Sequence, residues 1–573
     1  MSSRADQRTG ATQGAARVLP ILGWAPRYRR EWLRPDLIAG LAVAALVVPK
    51  SLGYAGIAGV PIEHGLYAAA AGTILYALFG TARQISTGPS SALAAVAGSA
   101  VVLGAVSGDD AVKLVASITV LTGILFLLLT IFRMGWISQL LSKAVITGFL
   151  FGAAIEVVVG ELPKLTGTSI EGSNSWAKMY SWLQTLSDTD GPTLILGVIS
   201  LVVIIGIRFS KAPIPGALVL VVGGLVASIA LNFEESGIAL VGEVPRGFAG
   251  IELPDVSFVI DNISVVVPAA LGLLLIGFSQ TAGDAREFAS RHRYRIDINQ
   301  ESLAQGMANV GSGLFQGIPV STSLSASSLN DESGAKTPVA SLTTGALILL
   351  TLIFLAPLFS DLPKPVLAAL IIDAVIFGMM NVAEMKRLYR VTRADFWIAV
   401  AAILGVLGAG VLAGVIIGVV LSIVWLVYVS ATPTMPVLGH KVGTQVFRSI
   451  EEFPDGRTYP GLLVMRFDAG LHFGSSDALG DRLRELADDA DPPIEVAVID
   501  FEGVNFIDSQ GSATLAEIVA AGRTRRVEVR LTRVKPQVYR LLQRDGVIDH
   551  LGTDKVYGNV YEAAADRIPD SAS

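Results

Sequence analysis

The chain has 573 residues, 52% of them hydrophobic and 16% charged, with a mean hydropathy of +0.59. A soluble protein of that length carries about 25% charged residues. The net charge of −6 arises mostly in the C-terminal tail and argues against a nucleic-acid partner, and the absence of cysteine excludes disulfides, thiolate metal sites and cysteine nucleophiles. Histidine is scarce (His64, His292, His440, His472, His550) and there is no P-loop or metal-ligand cluster, so no enzyme chemistry and no cofactor is expected.

Residues 1–34 read as a cytoplasmic N-terminal segment. Met1 to Gln13 is expected to be disordered, and Arg27, Arg29, Arg30 and Arg34 form a basic collar before the first apolar run. From 35 to 430, apolar segments of near-spanning length recur, which predicts a polytopic α-helical membrane domain. The first spans are placed at Leu37–Ala58 and Gly65–Phe79, a third crossing follows Gln84, and a fourth descends to Arg133. The fifth covers Leu140–Val159, followed by a polar segment from Glu161 to Asp190 with Trp176, Tyr180 and Trp182 at the interface. Spans six and seven flank Arg208 and Lys211, span eight covers Val265–Asp284, and span nine leads to Phe315. A half-helix is expected over Pro319–Asn330, then spans at Val339–Leu358 and Val366–Met380, and a two-span hairpin over Phe396–Tyr428. Alternating these crossings puts nearly every Arg and Lys cluster on one side, which supports about 14 crossings with both termini inside.

Two stretches inside the apolar region break the pattern. In Ser86-Thr-Gly-Pro-Ser-Ser-Ala92, Gly88-Pro89 ends an extended approach and Ser90-Ser91 opens a small-residue helix. In Gly317-Ile-Pro-Val-Ser-Thr-Ser-Leu-Ser325, Pro319 biases Ile318 to an extended conformation, and Ser321, Thr322 or Ser323 can cap the helix that follows. A helix N-terminus offers unpaired N–H groups and partial positive charge, so it can hold an anion. Paired broken helices in corresponding positions of two halves point to a transporter's binding site. The alternative is that both are loops at the membrane surface.

After Thr432-Pro433 the composition turns polar. Residues 431–460 read as a linker and first strand region, and 461–565 as a small α/β domain. Its strands are predicted at Leu462–Phe467, Val496–Phe501 and Val527–Thr532, and its helices at Asp477–Asp488, Gln510–Arg523 and Lys535–Gln543.

Several motifs, taken in order, carry a resemblance. Pro35-Asp-Leu-Ile-Ala-Gly40, Val48-Pro-Lys-Ser-Leu-Gly-Tyr-Ala55, Ala58-Gly-Val-Pro61 and Gly65-Leu-Tyr67 resemble the first-span signature of the SulP anion transporters, prokaryotic relatives of the SLC26 exchangers. Ser86–Ala92, Ile296-Asp-Ile-Asn-Gln-Glu301 and Gly317–Ser325 resemble that family's third, pre-ninth and tenth-span motifs. Val498-Ile-Asp-Phe501 and Phe506-Ile-Asp-Ser-Gln-Gly511 resemble a STAS domain. The resemblance implies a seven-plus-seven inverted repeat of core and gate domains, elevator-type movement, and transport of sulfate, bicarbonate, chloride or dicarboxylates. It also implies coupling to protons or sodium in many members, and a homodimer embedded in membrane lipid.

The substrate contacts expected on this basis are Lys50, Ser90, Ser91, Ala92, Thr322, Ser323, Leu324 and Ser325. Neutral hydroxyls bind an anion that must also leave; their alternative use is interhelical hydrogen bonding. Three positions depart from the family pattern. Ala326 stands where many relatives carry Arg, Lys50 where many carry Gln, and Gln280 where a carboxylate is common. Lys50 is therefore expected to supply a relocated positive charge, since an intramembrane charge is costly and usually functional; the alternatives are snorkelling or pairing with a carboxylate such as Asp284. Asp284, with Gln280 and Thr281, is the candidate for a coupling Na+ or H+, with Asp373 and Glu156 ranked second. In the STAS domain, Ser509 is a candidate phosphorylation site through which a cytosolic partner could act; the competing role for the Asp508-Ser509 pair is a helix N-cap near Gln510. An uncoupled anion channel and a nucleobase permease of the same architecture are the rival functions, and a membrane-anchored STAS regulator would not need the broken helices.

Overall fold

The computed structural model describes residues 19–135, 142–172, 174–210 and 215–569. Met1 to Gln13 and Lys211 lie outside them. Two compact units, Met1–Ser422 and Ile423–Ser573, divide the chain.

Up to Ala431 the apolar runs form helices in the expected order. These are α1 (Leu33–Ile57), α2 (Glu63–Phe79), α3 (Ser91–Leu103), α4 (Asp109–Ile131), α5 (Lys143–Thr166), α6 (Gly191–Phe209) and α7 (Gly216–Leu231). The series continues with α8 (Ile263–His292), α9 (Ile298–Leu314), α10 (Leu324–Glu332), α11 (Val339–Leu350), α12 (Lys364–Met379), α13 (Arg393–Ala409) and α14 (Val411–Ala431). Among the described residues, eight helices are long and apolar enough to cross a membrane, with α3 and α7 as shorter apolar helices. The predicted α13–α14 hairpin turns on Gly410, whose φ of +85° suits glycine.

Several boundaries differ from expectation. Val339–Leu358 does not stay α-helical, because α11 passes into a π-helical turn at Thr351–Leu355 and a 3-10 segment at Ala356–Asp361. Glu161, expected to open the polar segment after the fifth span, still belongs to α5, which runs on to Thr166, and is paired with Lys164 one turn on. In the polar segment that follows, a short helix (Ser175–Gln184) carries exposed Trp176 and Tyr180. Trp182 instead turns inward, donating from Nε1 to Thr166 Oγ1 at 3.2 Å.

Each broken stretch is a strand followed by a helix. β1 (Thr87–Pro89) pairs antiparallel with β2 (Val320–Thr322), in the register Thr87↔Thr322, Gly88↔Ser321, Pro89↔Val320. The half-helix expected from Pro319 therefore starts only at Leu324, because residues 320–322 are taken by the ribbon. The strands pair antiparallel and each leads into its helix, so α3 and α10 leave in opposite directions and both N-termini open toward the ribbon. The broken elements stand third and tenth in the series, as two inverted repeats require.

The ribbon is held by side chains of the surrounding helices. Asn309 Nδ2 and Gln305 Nε2 donate to Val320 O at 3.0 and 2.5 Å, and Asn309 Oδ1 accepts from Val320 N at 3.0 Å. Thr73 Oγ1 donates to Thr87 O at 2.7 Å. Buried Glu301 accepts from Thr81 N (2.9 Å), Ala82 N (3.2 Å) and the hydroxyls of Thr81 and Tyr76, and so fixes the turn that feeds β1. Buried Asp36, from the first-span motif, does the same for the entry to α11: it accepts from Lys336 N at 2.7 Å, Thr337 N at 3.1 Å and Thr337 Oγ1 at 2.7 Å.

Glycine allows α1 and α2 to pack closely. A Cβ on Gly65 would lie 2.0 Å from Ser51 O, next to Lys50. Gly65→Ala is expected to displace α1 at that turn and cost about 1–3 kcal/mol, the usual range for overpacking. The thermal midpoint in detergent measures the cost, and anion uptake should fall with it.

The second unit contains a four-stranded parallel sheet in the order β5-β6-β7-β8, preceded by an antiparallel hairpin of β3 (Leu438–His440) and β4 (Phe447–Ser449). The strands are β5 (Leu462–Arg466), β6 (Val496–Asp500), β7 (Glu528–Thr532) and β8 (Val556–Tyr557). Helices α15 (Ser476–Asp488), α16 (Ser509–Arg525) and α17 (Pro536–Arg544) match the predicted ones within two residues. Phe467, Ile499, Phe501, Leu515 and Leu531 are buried in the core between sheet and helices. Asp508 caps α16, accepting from Gly511 N at 2.8 Å, and Ser509 is its exposed first residue, one position before the expected start.

On β7, buried Arg530 bonds Asp566 and Glu528. Arg530 holds Asp566 below the usual carboxylate range, and Lys555, followed by Arg530, does so for Glu528. For depressed carboxylates the stabilisation is present above their unfolded values and is lost as pH falls through their folded ones. Hydrogen exchange on the full chain should therefore show β7 and residues 560–567 keeping their protection from neutral pH down to the ordinary carboxylate range and losing it first as pH falls below that range.

Candidate anion site at the paired broken helices

Both helix starts converge on one turn of α1. Lys50 Nζ donates to Ser325 Oγ at 3.3 Å, and Ser325 lies 3.3 Å from the hydroxyl of Ser323. Tyr54, four residues on and so on the same face of α1, lies close to Ser91 at the start of α3. Four residues of helix span about 6 Å, so α1 brings the two N-termini together although Ser90 and Ser323 sit at opposite ends of the ribbon. Counted along the ribbon they are about 13 Å apart at ~3.3 Å per residue. Pro49, which has no N–H to donate, interrupts the helical hydrogen bonding of α1 just before this turn.

The helix starts hold unpaired donors. The first helical bond of α3 is Ala94 N to Ser90 O at 2.8 Å, which leaves the N–H groups of Ser91 and Ala92 free of helical partners. The Ser90 side chain makes no cap bond. In α10 the first bond is Ser327 N to Ser323 O at 2.8 Å, so Leu324 and Ser325 are in the same position, while Ser323 Oγ accepts from Ala326 N at a long 3.4 Å. Ser90, Ser91 and Ser323 are half-buried and Leu324 and Ser325 exposed; Ala92 and Thr322 are buried.

Asp284 is not the partner of Lys50. Its Oδ2 accepts from Thr322 Oγ1 at 2.7 Å, which ties α8 to the end of β2. Thr281 turns instead to Gln305 Oε1 at 3.4 Å, so it does not join Asp284, and Gln280 Oε1 is buried without a hydrogen-bond partner among the described residues. No group of three or more His, Cys, Asp or Glu residues arranged for a metal is found among the described residues.

The charged pair across from this turn involves residues the sequence left apart. Arg208, expected only as a topology marker, donates from Nε and Nη2 to Asp373 Oδ1 and Oδ2 at 2.8 and 2.5 Å and stacks 4.4 Å over Phe377. Asp373 is thus occupied bidentately, and no carboxylate lies within 4.0 Å of Lys50 among the described residues. Glu156 keeps one buried carboxylate oxygen without a partner among the described residues. Tyr54 and Arg208 were missed because each acts through a contact distant in sequence.

Long apolar helices around a ribbon of two broken elements, followed by a small α/β domain, define a polytopic membrane carrier fold rather than an enzyme. The chain belongs to the sulfate permease family, whose model matches residues 33–402, and residues 454–563 match the STAS domain model. It is 32% identical over 544 residues to the probable sulfate transporter MT1781 of Mycobacterium tuberculosis, covering 93% of this chain and 96% of that one. It is 30% identical to the chloroplastic sulfate transporter 4.1 of Arabidopsis thaliana, covering 95% and 82%. Among solved structures, SLC26A9 superposes with a TM-score of 0.88 at 22% identity, covering 98% of this chain and 94% of that one.

Proposed function

We propose that the protein is a secondary-active carrier of a small anion, sulfate before bicarbonate or a dicarboxylate, held between the N-termini of α3 and α10. What supports the reading most is Lys50: a cation inside a membrane helix, hydrogen-bonded to Ser325, with no carboxylate partner among the described residues. An unneutralised charge there is costly, and an anion offsets the cost. Ser91, Ser323 and Ser325 with the N–H groups of Ser91, Ala92, Leu324 and Ser325, which have no helical partners, complete a lining able to donate to an anion. The two relatives named as sulfate transporters favour sulfate.

In this reading α3 and α10 travel with the anion against a gate that includes Arg208 and Asp373, in an elevator movement. Asp284, bonded to Thr322 beside the α10 cap, takes the coupling proton or sodium. The carrier works as a homodimer in the cell membrane with both termini cytoplasmic, and exposed Ser509 offers the STAS domain's regulatory contact.

Uptake of labelled sulfate, bicarbonate and fumarate into proteoliposomes, with and without pH and sodium gradients, tests the proposal. Saturable sulfate uptake that unlabelled sulfate competes and one gradient drives is the expected result. No uptake of any of the three, or passive flux without saturation, would overturn it.

A further inference from the structure

A second opening lies away from the ribbon, where helix ends meet. A cavity of about 700 Å³ is lined by Trp24, Arg27, Trp32, Thr81, Arg83 and Asp297, among others. It sits between the segment before α1, the C-terminal end of α2, and the starts of α9 and α11.

The polar groups around it divide by what they are already doing. Thr81 spends its N–H and hydroxyl on Glu301, and Thr337 spends its own on Asp36. Asp297 Oδ1 accepts from Asn299 N at 2.9 Å as the cap of α9. The donors are left over. The indole Nε1 of Trp24 is buried without an acceptor among the described residues. Neither Arg27 nor Arg83 has a carboxylate within 4.0 Å among the described residues, whereas neighbouring Arg29 pairs with Glu31. The Arg83 guanidinium is steadied over the Tyr294 ring at 5.6 Å. A buried N–H without a partner is costly, and two arginines at one mouth repel unless an anion joins them.

We propose that this cavity binds a phosphate oxyanion, taken by Arg27, Arg83 and the Trp24 N–H. Arginine's planar fork suits phosphate oxygens. Two tryptophans at helix ends fit the headgroup level of a bilayer, and anionic headgroups concentrate there. The source that fits best is the headgroup of an anionic phospholipid, with its glycerol against Trp24 and Trp32; inorganic phosphate presents the same oxygens. Binding would fasten the segment before α1 to the ends of α2 and α9, whose turn feeds the ribbon.

The test is thermal unfolding of the full-length protein in detergent with added phosphatidylglycerol, phosphatidylcholine or inorganic phosphate, alongside native mass spectrometry for bound lipid. Phosphatidylglycerol should raise the midpoint by several degrees more than phosphatidylcholine. Trp24→Phe, which keeps an aromatic side chain but removes the N–H, should shrink that difference, and Arg27→Gln with Arg83→Gln should abolish it together with the retained lipid. Stabilisation by millimolar phosphate alone, lost in the same variants, would support the site and assign it to a soluble anion. An undiminished phosphatidylglycerol-specific shift and bound lipid in all variants would overturn the proposal. If a variant's midpoint in phosphatidylcholine already falls, retained lipid counted by mass spectrometry decides: unchanged retention overturns it and lost retention supports it.

Discussion

Lys50→Gln raises the KM for anion uptake by at least tenfold and leaves the protein as stable as before or more so. A charge-assisted hydrogen bond contributes about 1.5–3 kcal/mol, roughly 10- to 150-fold in affinity. The neutral amide can still bond Ser325 but supplies no field for the anion. Stability moves the other way because Lys50 has no carboxylate partner among the described residues to lose, and the cost of an intramembrane cation disappears. Such opposed changes are the sign of a residue kept for function. Uptake kinetics in proteoliposomes and the thermal midpoint of the same preparation check both halves. A drop in stability with unchanged KM would mean that Lys50 is a packing residue.

Glu301→Ala is expected to destabilise the first unit by about 3–5 kcal/mol, the upper range for a single substitution. The side chain is fully buried and accepts from two backbone N–H groups and two hydroxyls. Its removal strands those donors in the interior, at about 1–3 kcal/mol for each that finds no water. The turn at Thr81–Ala82 then loses its anchor to α9 and β1 loses its register with β2. Transport should fail with folding, in contrast to Lys50→Gln. Glu301→Gln keeps an acceptor for Thr81 N and Ala82 N and should recover most of the loss, as read by the unfolding midpoint.

Much of this was readable from residue order, for identifiable reasons. Pro89 and Pro319 break apolar runs by removing N–H donors, so two interrupted crossings are legible in the residue order alone. Lys50 was conspicuous because a charge inside an apolar helix is rare. The core strands β5, β6 and β7 stood out as short apolar runs, and α15 through its leucine spacing.

What stayed hidden depends on contacts between distant segments. The pairing of β1 with β2 joins three-residue strands more than 230 positions apart, too short for any periodicity, and it is this ribbon that leaves Ser323, of the three possible caps, at the start of α10. Tyr54 looked like one more residue of an apolar helix until Ser91 lay beside it. Arg208 and Asp373 belong to α6 and α12, and neither helix on its own reveals that their charges meet. The preference of Asp284 for Thr322 over Lys50 was likewise a matter of which face each helix turns to the ribbon. The hairpin β3–β4 and strand β8 are only two or three residues long, and their pairing partners define them more than their composition does.

The most direct test is to locate the anion by its anomalous scattering in crystals of the protein grown with selenate, the heavier analogue of sulfate. The selenium peak is predicted between the starts of α3 and α10, with selenate oxygens about 3 Å from Lys50 Nζ and the Ser325 hydroxyl, a normal hydrogen-bond distance. A peak elsewhere in the membrane unit, with that turn of α1 unliganded at saturating selenate, would contradict the account.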